Sequence, residues 1–245
     1  MRTNTEYGYK ESGESHFIIV APHAAGDDLK TETISKKLAQ KLQAFLMVNK
    51  IYKKPNNSHA SKNSELVEDF NDLVWSETKE KYLWQRKKPA MKSFFEDIKN
   101  FSEKAREYNS KNEKAVIIYI HGFTSEHIAI DIGAGAKHYN FSNKIFGSLY
   151  HPQKGKNQGK ITLPISIIKK IRVELEKKIK IKYNLATTIG YQYSGWSRQS
   201  AIQFHCHERR NDYALQFEIS QHLRRSDFDL EYTIQTLAEV IKKYL

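Results

Sequence analysis

The chain has 245 residues, room for one large domain or two small ones, and 39% hydrophobic residues with 14 Tyr, 12 Phe and 3 Trp supply a sizeable core. Its 40 Lys+Arg against 28 Asp+Glu leave a formal charge of +12, which attracts anions of every kind and singles out no class of partner. The single cysteine, Cys206, excludes an internal disulfide and a thiolate-rich zinc site, so any metal must be held by His and carboxylates.

No run approaches the ~20 apolar residues that span a bilayer, and the first fifteen residues (MRTNTEYGYKESGES) lack the apolar stretch of a signal peptide. A soluble cytoplasmic protein is the expectation. No Pro/Gly/Ser-rich linker interrupts the chain, which favours one domain over residues 1–245; oligomeric state is not legible.

In chain order, β-rich runs alternate with helical patterns. "HFIIVAPH" (16–23) is followed by a helix in "TISKKLAQKL" (33–42), where Ile34, Leu38 and Leu42 share a face, and then by "AFLMVNKIY" (44–52). The segment from Ser64 to Tyr108 reads as helical, in "LVEDFNDLVW" and again in "FFEDIKNFSEKA". The strands "AVIIYIHG" (115–122) and "IAIDIG" (128–133) come next. A lysine-rich helix then runs from Leu163 to Tyr183 with Ile168, Ile171, Leu175 and Ile179 on its inner face. "LATTIGY" (185–191), "YALQFEI" (213–219) and a C-terminal helix in "EYTIQTLAEVIKKYL" complete the order. Near-continuous apolar strands such as "VIIYI" imply a sheet buried on both faces, hence an α/β fold: a three-layer α/β/α sandwich with a mixed central sheet.

In open α/β sheets, ligands bind at the carboxyl ends of strands, so a polar residue just after an apolar run has a raised chance of being functional. His23 ends the first run and His121 ends "VIIYIHG", while Glu218 lies in "YALQFEIS". Two histidines and a carboxylate form a common catalytic zinc set, and a further carboxylate serves as general base. Asp27 and Asp28 both follow His23, and either could instead cap the helix that begins near Thr31.

"PHAAGDDLKT" resembles the Pro-His-Gly-Gly, two residues, Glu or Asp, two residues, Thr pattern of N-formylglutamate amidohydrolases and the related phage poly-γ-glutamate hydrolases, members of the zinc carboxypeptidase-like superfamily. "IIYIHGFTSEHIAIDIGAG" resembles that family's second histidine block, "ALQFEIS" its Gln-x-Glu-Ile block, and "GYQYSGW" its Gly-rich loop. The resemblance implies a mostly parallel sheet of the zinc-dependent exopeptidase, phosphorylase/hydrolase-like kind. It implies Zn2+ held by His23, Asp28 and His121, with Glu218 as general base, and it leaves the cap to Asp27. "VEDFNDL" stands where the family carries Asp-x-Asn-Arg, with Asp72 in place of the arginine, and Asp28 replaces the more usual glutamate.

The activity implied is hydrolysis of an amide bond in a small anionic N-acyl amino acid, N-formylglutamate-like, or in a short peptide. Superfamily enzymes usually hold a substrate carboxylate with arginine, whose planar fork matches it. Arg198 in "GWSRQS" and Arg209 in "CHERRND" rank first, because they lead to the Glu218 strand, ahead of Arg210, Arg224 and Arg225.

Two other readings stand beside this one. "IIYIHGFTS" also reads like the oxyanion loop of a serine α/β-hydrolase, but no Gly-x-Ser-x-Gly elbow follows. A basic nucleic-acid-binding module would use the charge and the tyrosines without needing the four polar residues to converge. "FHCHERR" reads as a strand with partly exposed His205 and His207 and an inward Cys206; His127 and His138 lack supporting ligands.

Overall fold

The eight strands that form the central sheet in the computed structural model are β1 (Arg2–Thr5), β2 (Gly8–Glu11), β3 (Phe17–Ala21), β4 (Phe45–Asn49), β5 (Val116–Phe123), β6 (Ile128–Gly133), β7 (Ala186–Ile189) and β8 (Tyr213–Ser220). Residues 1–26, 28–55, 65–110, 113–138, 149–150, 159–207 and 212–245 are described. The strand order is β1-β2-β4-β3-β5-β8-β6-β7. The central pairs β4–β3, β3–β5 and β5–β8 are parallel, as is β6–β7, while β1–β2, β2–β4 and β8–β6 are antiparallel. This is the expected mixed sheet, parallel through its middle.

Alternation along the strands builds two cores. Phe17, Ile19 and Ala21 of β3, Val116, Ile118 and Ile120 of β5, and Leu215, Phe217 and Ile219 of β8 face one way. They meet α1 (Thr31–Leu42), α3 (Ile165–Tyr183) and α5 (Asp227–Tyr244), through Ile34 and Leu38, Ile171 and Leu175, and Ile234 and Leu237. Ile18, Val20, Ile117 and Tyr119 face the other way, against Met91, Phe94, Phe95 and Ile98 of α2 (Pro89–Glu107) and Ile202 of α4 (Ala201–His207). The helix period of 3.6 places such residues on one stripe, so each helix closes one side of the sheet. The predicted sandwich is observed.

Three local readings are corrected. "LVEDFNDLVW" is no helix: the Asp69 carboxylate accepts the Asn71 N–H at 2.8 Å and Leu73 donates its N–H to Gln199 at 2.7 Å. Its buried Val67, Phe70 and Leu73 recur every third residue and so imitate a helical stripe, but the side-chain bond to the backbone turns the chain instead. "FHCHERR" begins in a helix, α4, and not a strand; Ile202 and His205 are buried at i, i+3, and Cys206 is buried as expected. Residues 2–11, which carried no predicted element, form the β1–β2 hairpin, and β2 joins the sheet along β4.

Among the described residues, no helix is long and apolar enough to cross a membrane.

Candidate metal centre

Period 2 also decides where the polar residues point. Gln216 and Glu218 of β8 alternate with the inward Leu215, Phe217 and Ile219, and His121 continues the row of Ile117 and Tyr119. Parallel pairing sets Glu218 directly beside His121, and antiparallel pairing sets it opposite Asp131 of β6. His23 follows β3 by two residues. The turn behind it is tied by Asn49 at the end of β4, whose amide donates to the Pro22 carbonyl at 2.7 Å and the Tyr52 carbonyl at 2.8 Å.

The loop after His23 folds back, with the Asp28 N–H donating to the His23 carbonyl at 3.2 Å and Gly26 supplying a left-handed residue at φ 108°. This brings Asp28 between the two histidines. Asp28 Oδ2 lies 3.4 Å from His23 Nδ1 and 3.4 Å from His121 Nδ1, and it accepts the Gly122 N–H at 3.1 Å. The imidazole rings stand edge to face with centroids 4.9 Å apart. One ligand atom from each of His23, Asp28 and His121 falls within 4.8 Å of the others. Helix α1 begins at Thr31, as expected. Its hydroxyl donates to the Asp28 carbonyl at 2.7 Å, and no side chain caps the helix at Lys30. Asp27, the expected cap, lies outside the described residues.

The electrostatics fit a cation. His23 is only 2% exposed, and burial disfavours its charged form, yet hydrogen bonds to Asp28 and Asp69 override burial and push the ring up to about 9. Burial works against the charged form of Asp28 too, but contacts from His121 and His23 hold its carboxyl well below the usual range. Asp69 is held down to about 2: burial opposes this, and the His23 bond dominates. His23, Asp28 and His121 therefore gather around a position at which positive charge is favoured. His121 Nε2 is buried without a hydrogen-bond partner, and Glu218, 5% exposed, is pushed up to about 7 by burial. Two imidazoles and a carboxylate suit zinc, and Asp69, bonded to His23 Nε2 at 2.9 Å, is the kind of outer carboxylate that fixes a ligating imidazole.

Asp69 was legible only as the first residue of the Asp-x-Asn pattern, Asp131 and Tyr193 were missed, and Arg224 was named for a different role. Fully buried Asp131 accepts the Thr188 hydroxyl at 2.7 Å and the N–H groups of Tyr191, Gln192 and Tyr193 at 2.9, 2.9 and 3.1 Å, which fastens the loop after β7. An acid inside the apolar "IAIDIG" was its signal. Tyr193 of that loop is close enough for Glu218 and Asp28 to act on it, although burial does most to raise its hydroxyl. Arg224, grouped with the substrate candidates, donates instead to the carbonyls of Ile219 at 3.0 Å, Phe123 at 3.3 Å, and Leu29. It ties together the segments that carry Glu218, His121 and Asp28. A Cβ at Gly122 would sit 2.7 Å from its guanidinium, so the glycine gives Arg224 room to lie against the strand.

Arg198 lies over the Trp75 ring, 4.7 Å from its centroid, in the loop beside the site. Arg209 and Arg210 lie outside the described residues. His205 bonds the Tyr119 hydroxyl at 2.9 Å inside the second core, and His127 is exposed on a turn.

No protein-family model matches the sequence, and no curated protein does. Solved structures do. Gene product Atu2144 from Agrobacterium tumefaciens matches over 96% of this chain and 92% of its own, with a TM-score of 0.55 at 12% identity. The chain shares that fold. An N-formylglutamate amidohydrolase from Ralstonia eutropha JMP134 matches over 94% of this chain and 92% of its own (TM-score 0.47, 10% identity). A bacteriophage poly-gamma-glutamate hydrolase matches over 96% and 87% (TM-score 0.46, 14% identity). Identities this low speak to fold alone, and function must be argued from the site.

Proposed function

We propose that the protein is a metal-dependent amidohydrolase that cleaves the amide bond of a small N-acyl amino acid or short peptide. One observation carries the reading: His23, Asp28 and His121, drawn from two strand ends and a loop, converge within 4.8 Å, with Glu218 on the adjoining strand in register with His121. Chance alignment of sequence motifs gives no reason for that convergence, and neither a nucleic-acid-binding module nor a serine hydrolase requires it.

His23, Asp28 and His121 would hold Zn2+, which when bound polarises a carbonyl and lowers the pKa of water toward about 7. Asp69 holds the His23 ring in one orientation, and the Gly122 N–H fixes Asp28. Glu218, walled in by the sheet, takes a proton from the attacking water and delivers it to the leaving amine nitrogen. Arg198, beside the site, and Arg209 are proposed to meet an anionic end of the substrate.

The test is a hydrolysis screen of N-acyl amino acids and short peptides with zinc-loaded protein. Turnover that falls by about 10²-fold or more in Glu218→Gln supports the reading. Activity untouched by that change removes Glu218 from the mechanism, and absence of hydrolysis across the panel overturns the reading.

A further inference from the structure

A pocket of about 290 Å³ opens beside the metal centre, and its walls include Asp69, Asn71, Asp72, Tyr193, Trp196 and Gln216. Two buried side-chain atoms of residues that line it, both acceptors, have no hydrogen-bond partner. Gln216, 2% exposed, donates Nε2 to the Tyr193 carbonyl at 2.8 Å, which settles the amide orientation and leaves Oε1 buried with no partner. Asn71 Oδ1 is likewise buried and unpartnered. The Asp72 carboxylate stands at the exposed rim. These are acceptors, and buried acceptors left unpaired in a finished fold call for a donor from outside.

We propose that this pocket receives a primary ammonium group of the substrate, so that the enzyme acts on N-acylated or peptide-linked amino acids that carry a free amine. An ammonium offers three donors and no acceptor, which matches Gln216 Oε1, Asn71 Oδ1 and Asp72. The rings of Tyr193 and Trp196 add faces that attract a cation. A substrate carboxylate would instead set acceptor against acceptor. Nearby lysines do not reverse this: Lys87 acts on Asp72 only at a distance and is itself bonded to Glu68 at 3.1 Å, and Lys54 acts electrostatically on Asp69 and Tyr193 without lining the pocket. Arg198 then serves the opposite end of a zwitterionic substrate.

The inference builds on the hydrolase reading but is tested by binding. Calorimetry on the zinc-loaded protein, and on Glu218→Gln to keep the ligands intact, compares N-α-acetyl-lysine, N-α-acetyl-norleucine and N-α-acetyl-glutamate, which share the acetylated α-nitrogen and free carboxylate and carry a cationic, an apolar and an anionic side chain. The lysine derivative is expected to bind at least about 10-fold more tightly than the other two. Asp72→Asn, a change at an exposed side chain that leaves folding intact, is expected to remove most of that preference, and Gln216→Leu to weaken it further. Equal or tighter binding of the norleucine or glutamate derivative, a preference that survives Asp72→Asn, or absence of saturable binding by all three overturns the proposal. Lysine-selective binding without any hydrolysis refutes the hydrolase reading alone, whereas preferred hydrolysis of the glutamate derivative refutes this inference alone.

Discussion

Asp131→Asn is the sharpest probe of how the sheet holds the site loop. The fully buried carboxylate takes four hydrogen bonds, two on each oxygen: Thr188 Oγ1 and the Tyr191 N–H on Oδ1, the Gln192 and Tyr193 N–H groups on Oδ2. Asparagine keeps the shape but offers one acceptor. In its better orientation the oxygen faces Gln192 and Tyr193 while the NH2 faces Thr188, whose hydroxyl can rotate to accept, and the Tyr191 N–H is left against another donor. One bond to a charged acceptor, worth about 1.5–3 kcal/mol, is lost, and two others drop to neutral strength, a further ~0.5 kcal/mol or more each. The sum is about 3 kcal/mol. Urea unfolding should show that loss as a lower midpoint at unchanged slope, together with weaker binding of N-α-acetyl-lysine, because Tyr193 and Trp196 ride on this loop. A loss below ~1 kcal/mol would refute the assignment of Asp131 as the anchor.

Asp69→Asn should weaken zinc binding about 10–100-fold with little change in fold, measured by competition with a chelator; unchanged affinity would show that the His23–Asp69 bond does not support the metal ligand. The Cys206 thiol, pushed up to about 12 by burial, should resist iodoacetamide at pH 8 in the native protein and react once urea unfolds it, and rapid native alkylation would contradict its placement. At the start of α5, the Asp229 carboxyl is held well below the usual range by the Ser226 hydroxyl, with Lys182 and Tyr183 adding to it. A depressed folded value means the contribution is complete above the unfolded value of about 3.9 and is lost as pH falls below it. The stability difference between wild type and Asp229→Asn should therefore be constant near neutrality and shrink from about pH 4 downward; a difference that grows on acidification would show the sign to be wrong.

The strands and long helices were legible because burial writes its period into the sequence. "VIIYI" and "FIIVA" are apolar at every position since both faces of the sheet are covered, and α3 shows Ile168, Ile171, Leu175 and Ile179 inward among its lysines. Two site histidines were legible by position, at the ends of such strands, and the resemblance separated Asp28 from Asp27. What escaped depends on contacts distant in sequence. Asp69 meets His23 across 46 residues, and Asp131 meets the Tyr191–Tyr193 loop across about 60. Arg224, an arginine among arginines, is distinguished only by the three carbonyls that surround it. "LVEDFNDLVW" misled because Val67, Phe70 and Leu73 repeat at a spacing that a turn-rich buried segment shares with a helix.

His23, Asp28 and His121 are proposed to bind one metal ion. Protein loaded with zinc, dialysed free of excess and analysed by elemental mass spectrometry tests it directly, beside His23→Ala and His121→Ala variants checked for folding by circular dichroism. About one zinc per chain is expected in the wild type, and a folded, largely metal-free protein in each variant. Wild-type protein that retains no zinc, or folded variants that retain it at full stoichiometry, would contradict it.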